Sequence, residues 1–234
     1  MKLLKLTAIM LFVAVTTSCS TTKILKFEKS KDNIVTTPSL KEFLNTTKSP
    51  KVVLRVSDAS YTVTEGENID YLYNAIENQL LASGFVVRDR QLFNQIIGNN
   101  DNTIDYEKLK EKSDTDLIIE LTKLDPQVLY ETNKYYTKDD VEKVDKYRKR
   151  QEYGASIEFK VILIETNEFA GIYKFNYTPC VDGCVISKSQ RELLKEMREN
   201  KKANKDRGYE GVERDELEVF IKNATKQLVG EMRI

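Results

Sequence analysis

Hydrophobic positions along the chain fall into runs whose period changes, and the periods predict alternating strands and helices. Residues 6–15 form a largely apolar stretch of ten between Lys5 and the small residues Thr16, Thr17 and Ser18. That is half the length of a bilayer-spanning helix but the right size for the core of an export signal, with Lys2 and Lys5 as its positive leader. Residues 20–50 are rich in Ser, Thr, Lys and Asn and read as a polar tether, with one short helix near Leu40, Phe43 and Leu44. As a flexible coil of about 30 residues it would give the domain a reach of roughly 30 Å.

From Lys51 the pattern becomes regular. Val52, Val53, Leu54 and Val56 predict a strand. Thr64 and Glu67 form a capping box for a helix whose stripe is Ile69, Leu72, Ile76 and Leu80, widened by Tyr73, and Ser83-Gly84 supplies its left-handed stop. Phe85, Val86 and Val87 predict a second strand. Asp89 is placed to cap a brief helix through Leu92, Phe93, Ile96 and Ile97, and a weaker helix covers residues 104–112. Residues 117–121 read as a buried third strand. Residues 157–164 and 169–177 form an antiparallel pair around a turn in which Asn167 suits positive φ. Leu217, Phe220, Ile221, Ala224, Leu228 and Met232 mark a closing amphipathic helix.

The fold class expected is α/β: one three-layer-like domain with a mixed sheet of about five strands, flanking helices and a C-terminal amphipathic helix. Its bounds are a signal at 1–18, an anchor and tether at 19–50, and the domain at 51–234, with insertions at about 125–154 and 185–211. The second insertion, strongly charged at residues 187–207, reads as a solvated helix edged by Leu193, Leu194 and Met197.

The chain has 234 residues, 37 basic and 37 acidic, and no histidine. The balanced charge selects no polyanionic partner as a whole, so any basic patch is local. Lacking imidazole, the chain also lacks the commonest zinc ligand and the usual proton-transfer group near neutral pH. None of the nine glycines builds a phosphate-cradling pattern. No metal or cofactor is expected.

Three cysteines in an exported chain leave one over. Cys180-Val181-Asp182-Gly183-Cys184 places an Asp-Gly turn between two thiols, which suits a structural disulfide in an oxidising compartment, with a free thiol pair as the alternative. A redox centre would usually space its cysteines two apart, and zinc would need more ligands. Thr16-Thr17-Ser18-Cys19 resembles the lipobox of bacterial lipoproteins, departing from it at Thr16, where Leu is usual. The resemblance implies a chain cut before Cys19 and acylated there, with palmitate-type chains as the anchor. Ser20, where an inner-membrane lipoprotein would carry Asp, implies the outer membrane, facing the periplasm.

The stretch Leu81-Ala-Ser-Gly-Phe85, Val86-Val-Arg-Asp-Arg90, residues 92–97, and Asp116-Leu-Ile-Ile119 resembles the family of CsgG, penicillin-binding-protein activator lipoprotein B and the TolB amino-terminal domain. The hairpin around Thr166-Asn-Glu168 and the closing helix follow in that family's order. The likeness covers about residues 51–234 apart from the insertions. It implies an α/β envelope domain used for binding or assembly, with no catalytic residues to carry over.

The pore-forming branch of that family inserts amphipathic hairpins into the membrane. Neither insertion here offers the 9–11 residues with one apolar face that a barrel strand needs. The chain is therefore expected to be no enzyme but a lipid-anchored module docking to another envelope protein. A subunit of an oligomeric secretion channel is the first alternative, and a carbohydrate- or peptide-bond-cleaving enzyme the second. The partners expected are an envelope protein, the membrane through Cys19 and, in the channel reading, further copies of the chain; nucleic acid is not among them. Asp114 with Asp116, or Asp139 with Asp140, would be the carboxylate pairs of the enzyme reading. Residues 143–150 read as a solvated, charged helix face. Tyr130, Tyr135, Tyr136 and Tyr147 are the candidate partner-binding residues, since each offers a broad apolar area with one polar tip; packing of the insertion onto its own domain would use the same residues.

Overall fold

The computed structural model describes residues 22–56, 70–91, 93, 114–186 and 211–234. The elements in chain order are β1 (Ile24–Leu25), β2 (Asn33–Thr36), α1 (Pro38–Thr46), β3 (Lys51–Val56), α2 (Asp70–Ala82), β4 (Val86–Val87), β5 (Leu117–Thr132), β6 (Lys134–Tyr136), β7 (Glu142–Val144), β8 (Arg150–Leu163), β9 (Glu168–Tyr177), β10 (Cys184–Val185) and α3 (Arg214–Arg233). The signal, Cys19, the helix start at Thr64, Glu67 and Ile69, the continuation through Leu92, Ile96 and Ile97, the helix at 104–112 and the charged stretch 187–207 lie outside the described residues. The chain is mixed α/β and divides into two units, a larger one (28–131, 151–179, 206–234) and a smaller one (1–27, 132–150, 180–205).

The larger unit is a six-stranded mixed sheet in the order β2-β9-β8-β5-β3-β4. Strand β3 pairs in parallel with β4 and with β5, where Val52 to Val56 match Leu117 to Leu121. Parallel pairing requires a crossover, and α2 lies between β3 and β4 in the chain. Its stripe of Leu72, Tyr73, Ala75, Ile76 and Leu80 is buried. At its end Gly84 takes φ +89°, and the amides of Gly84 and Phe85 donate to the carbonyls of Leu81 and Leu80. This double bond pattern satisfies the last carbonyls of the helix and needs a residue without Cβ at the left-handed position.

Helix α3 buries every residue of the expected stripe, together with Thr225 and Val229, and Thr225 satisfies its hydroxyl on the Ile221 carbonyl. With α1 and α2 it joins one continuous core over the sheet residues Val52, Leu54, Leu117, Ile119, Ile157 and Phe159. The alternate residues Val53, Ile118, Ile162 and Ile164 gather with Phe93 in a second cluster. Alternation along β3 and β5 puts that cluster on the opposite sheet face, so the central strands are buried on both sides.

The structure adds two points about the ends of elements that the sequence leaves open. The segment read as a tether is built into the structure: β2 pairs antiparallel with β9 through Asn33↔Lys174 to Thr36↔Gly171, and β1 pairs in the smaller sheet. Helix α1 starts where its residues indicate, with Thr37 accepting from the Leu40 amide and Pro38 in the first turn. The third strand runs on to Thr132, past Asp125 and Pro126, so the extension expected as insertion begins as strand. Pro126 is tolerated because β3 pairs β5 only as far as Leu121, and a residue without an amide hydrogen fits where one ladder has ended.

Candidate interaction surface

The smaller unit is a four-stranded sheet in the order β10-β1-β6-β7, with strands of two or three residues. Ile24 is opposite Val185 on one side and Tyr136 on the other, and Tyr136 is opposite Glu142. Residues facing each other across a ladder share a sheet face. The register therefore sets Val185, Ile24 and Tyr136 in one row across three strands. By alternation Lys26, Lys134 and Val144 belong to the same face. The outer members of this face are open to solvent: Val185 is 59% exposed and Val144 52%.

The turn that returns the chain into β10 is clipped by a disulfide between Cys180 and Cys184, whose Cα atoms are 5.1 Å apart. Cys180 takes φ +53° and Gly183 φ +99°, and the Gly183 amide donates to the Cys180 carbonyl. A Cβ on Gly183 would come within 2.8 Å of the Ile24 side chain, so glycine is required both by the backbone angle and by close approach to β1.

Charges on the same sheet are paired across its strands. Lys134 Nζ is 2.9 Å from a Glu142 carboxylate oxygen, and the Tyr136 hydroxyl donates to the other at 3.0 Å. These hydrogen bonds hold the Glu142 carboxyl below its usual range and push Lys134 and Tyr136 above theirs. Lys26 pairs with Asp140 and stands 4.9 Å over the Tyr136 ring, while Lys23 stands 4.5 Å over Tyr135.

The structure separates the four tyrosines. Tyr130 belongs to the larger unit, where its hydroxyl lies 2.8 Å from Ser30 Oγ and 3.2 Å from Thr178 Oγ1. Its ring sits against Gly154, where an added Cβ would meet it at 2.5 Å, so it packs its own fold. Tyr135 and Tyr136 are neighbours on β6 and point to opposite faces. Tyr147 is 93% exposed. Residues 143–150, expected as a helix face, are instead the end of β7, a turn, and the first residue of β8; the Asp145 carboxylate accepts from the Tyr147 amide and the Asp145 amide donates to the Asn133 carbonyl. A short polar strand carries no periodicity that separates it from a helix. Ile24, Val144 and Val185 were not singled out by the sequence for the same reason: strands of two or three residues are too short to show a period.

Three of the four carboxylates considered for catalysis, Asp114, Asp116 and Asp140, are engaged elsewhere. Asp114, at φ +48°, receives Lys51 Nζ at 2.7 Å and Arg88 at 2.6 Å, and Lys51 above all holds its carboxyl low. Asp116 accepts from the Lys51 amide. Asp140 is paired with Lys26, as above. A separate open cleft of about 440 Å³ in the larger unit is lined by Glu77, Asn78, Val87, Arg88 and Arg90. Burial raises the Glu77 carboxyl, opposed by Arg90, which is 3.9 Å away and stacked over Tyr73.

No protein-family model and no curated protein matches the sequence. Among solved structures, the chain is similar to PelC dodecamers from Paraburkholderia phytofirmans. A single-substitution variant is 10% identical, with 88% of this chain and 100% of that one covered and a TM-score of 0.41. A second PelC dodecamer structure gives 9% identity, 87% and 96% coverage, and a TM-score of 0.41.

Proposed function

We propose that the protein is a lipid-anchored envelope module, outer-membrane and periplasm-facing, which docks to another envelope protein through the smaller sheet and performs no chemistry of its own. The observation carrying this reading is the row Val185, Ile24 and Tyr136, an apolar line on an exposed sheet face, rimmed by paired charges and braced by a disulfide. Apolar centres with polar rims are how protein interfaces are built, and a disulfide persists in an oxidising compartment. The export signal ending at Cys19 supports the same location. Engagement of Asp114, Asp116 and Asp140 by cations and backbone supports a non-catalytic role, since a general acid needs its pKa raised and a free path to substrate.

The test is a photo-crosslinking residue placed at position 185 in intact cells. One envelope protein should be captured at 185, with capture lost when Ile24→Asp is added and absent from a control position such as 86. Equal capture from 86 and 185 would contradict the docking face. A complex of many identical subunits in detergent would favour the channel alternative; against it, β6 and β7 hold three residues each where a barrel strand needs about 9–11.

A further inference from the structure

Among the described residues the first paired in a ladder is Ile24, five positions after Cys19. Five residues span at most about 18 Å when fully extended, so a lipid on Cys19 would hold the smaller sheet within that distance of the headgroups. The coil of about 30 residues that would have let the domain drift away does not exist. A unit held there must present some surface to the bilayer.

That surface is marked by charge. The overall balance of 37 against 37 hides a local excess: residues 132–150 carry seven Lys and Arg against four Asp and Glu. Two of those acids, Asp140 and Glu142, are already paired with Lys26 and Lys134. The excess concentrates at residues 146–150, where Lys146, Arg148, Lys149 and Arg150 surround Tyr147 with no acid between them. The Tyr147 side chain, 93% exposed, packs on almost nothing, although a tyrosine ring in water forgoes the burial that usually stabilises it. Aromatic rings among basic side chains suit the bilayer interface, where the ring sits among the headgroups and the cations meet lipid phosphates.

We infer that the turn at residues 146–150 is a second membrane contact, in which Tyr147 enters the interface of a phospholipid surface and the flanking Lys and Arg bind anionic headgroups. The inference rests on the proposed anchor at Cys19 for its geometry. The lipid on Cys19 holds the chain at one point, and a basic patch is the kind of second contact that fixes how the unit is oriented on the surface.

The chain contains no tryptophan, so Tyr147→Trp gives a reporter at one position. In the full mature chain from residue 19, carrying Cys19→Ser so that no lipid contributes, Trp fluorescence should shift to the blue and vesicles should co-sediment the protein when one quarter of the lipid is phosphatidylglycerol. Pure phosphatidylcholine vesicles should give neither response. Adding Lys146→Glu and Arg148→Glu should weaken binding at least tenfold, and 0.5 M salt should do the same, since each basic residue near such a surface contributes about 1 kcal/mol, roughly fivefold. Circular dichroism unchanged from the parent would show that the charge-reversed chain is folded. Absence of a shift on anionic vesicles, or an equal shift on neutral ones, would overturn the inference. Acylation of Cys19 is read separately by intact mass, so failure of the anchor and failure of the basic turn are distinguishable.

Discussion

The two units of this chain reach stability by different means. The larger unit buries its sheet on both faces, with Leu54, Ile76, Phe159, Ile221 and Leu228 all fully enclosed. In the smaller unit Leu25 is the one buried hydrophobic among the described residues, and the sheet is instead held by a disulfide, cross-strand ion pairs and two lysines stacked on tyrosines. Apolar burial scales with area and gathers into a cooperative core, whereas exposed ion pairs contribute about 0–1 kcal/mol each and depend on salt. Both units leave apolar residues in solvent, Val35, Phe169 and Val219 in the larger and Val144 and Val185 in the smaller, but in the smaller unit they lie on a sheet that is not organised around a core.

The contrast is broken hardest by emptying the larger core. Phe159→Ala should cost about 3–5 kcal/mol and lower the midpoint of chemical denaturation for the whole chain. Next comes alkaline pH. Tyr173 is fully buried, its hydroxyl 2.8 Å from Thr36 Oγ1, and its pKa is pushed up to about 12, mainly by burial. The folded state holds that proton more tightly than the unfolded state does, so the stabilisation is complete below about pH 10 and is lost as pH rises through 12. The loss should reach roughly 2–3 kcal/mol. Thermal denaturation between pH 9 and 12 should show a steeper fall for the parent than for Tyr173→Phe.

Removing the clip sharpens the comparison from the other side. Closing so short a loop, a separation of four residues, is worth about 2 kcal/mol in the chain-entropy account. Cys180→Ser with Cys184→Ser should speed hydrogen exchange at Leu25 and Ile186 while leaving exchange at Ile119 and Phe159 unchanged. Loss of protection in both units would mean that they unfold as one. The smallest effect is expected for Lys26→Ala, which removes one ion pair and one ring contact and should cost under about 1 kcal/mol, diminishing in high salt.

The same contrast decides what the sequence disclosed. Helix α2, helix α3 and the β8–β9 hairpin were legible because each repeats a period over ten or more residues and ends on a recognisable stop, as Gly84 and Asn167 do. The disulfide was legible because an Asp-Gly turn between two thiols dictates proximity. Strand β2 was not, since Asn33-Ile34-Val35-Thr36 is four residues whose strand state is conferred by pairing with β9. The smaller sheet was invisible for the same reason: Ile24, Tyr136 and Val185 are brought together by register between segments more than a hundred residues apart, and no local pattern encodes that. Tyr130 carried the right residue type for an interface but is consumed by Ser30 and Thr178, which lie 100 and 48 residues away in sequence.

Everything functional turns on whether Cys19 carries lipid. Intact-mass spectrometry of the protein extracted from its own membranes tests this most directly. The account predicts a chain that begins at Cys19, carries the added mass of acyl chains, and retains two cysteines in a disulfide. A water-soluble chain that still holds residues 1–18 and an unmodified Cys19 would contradict it.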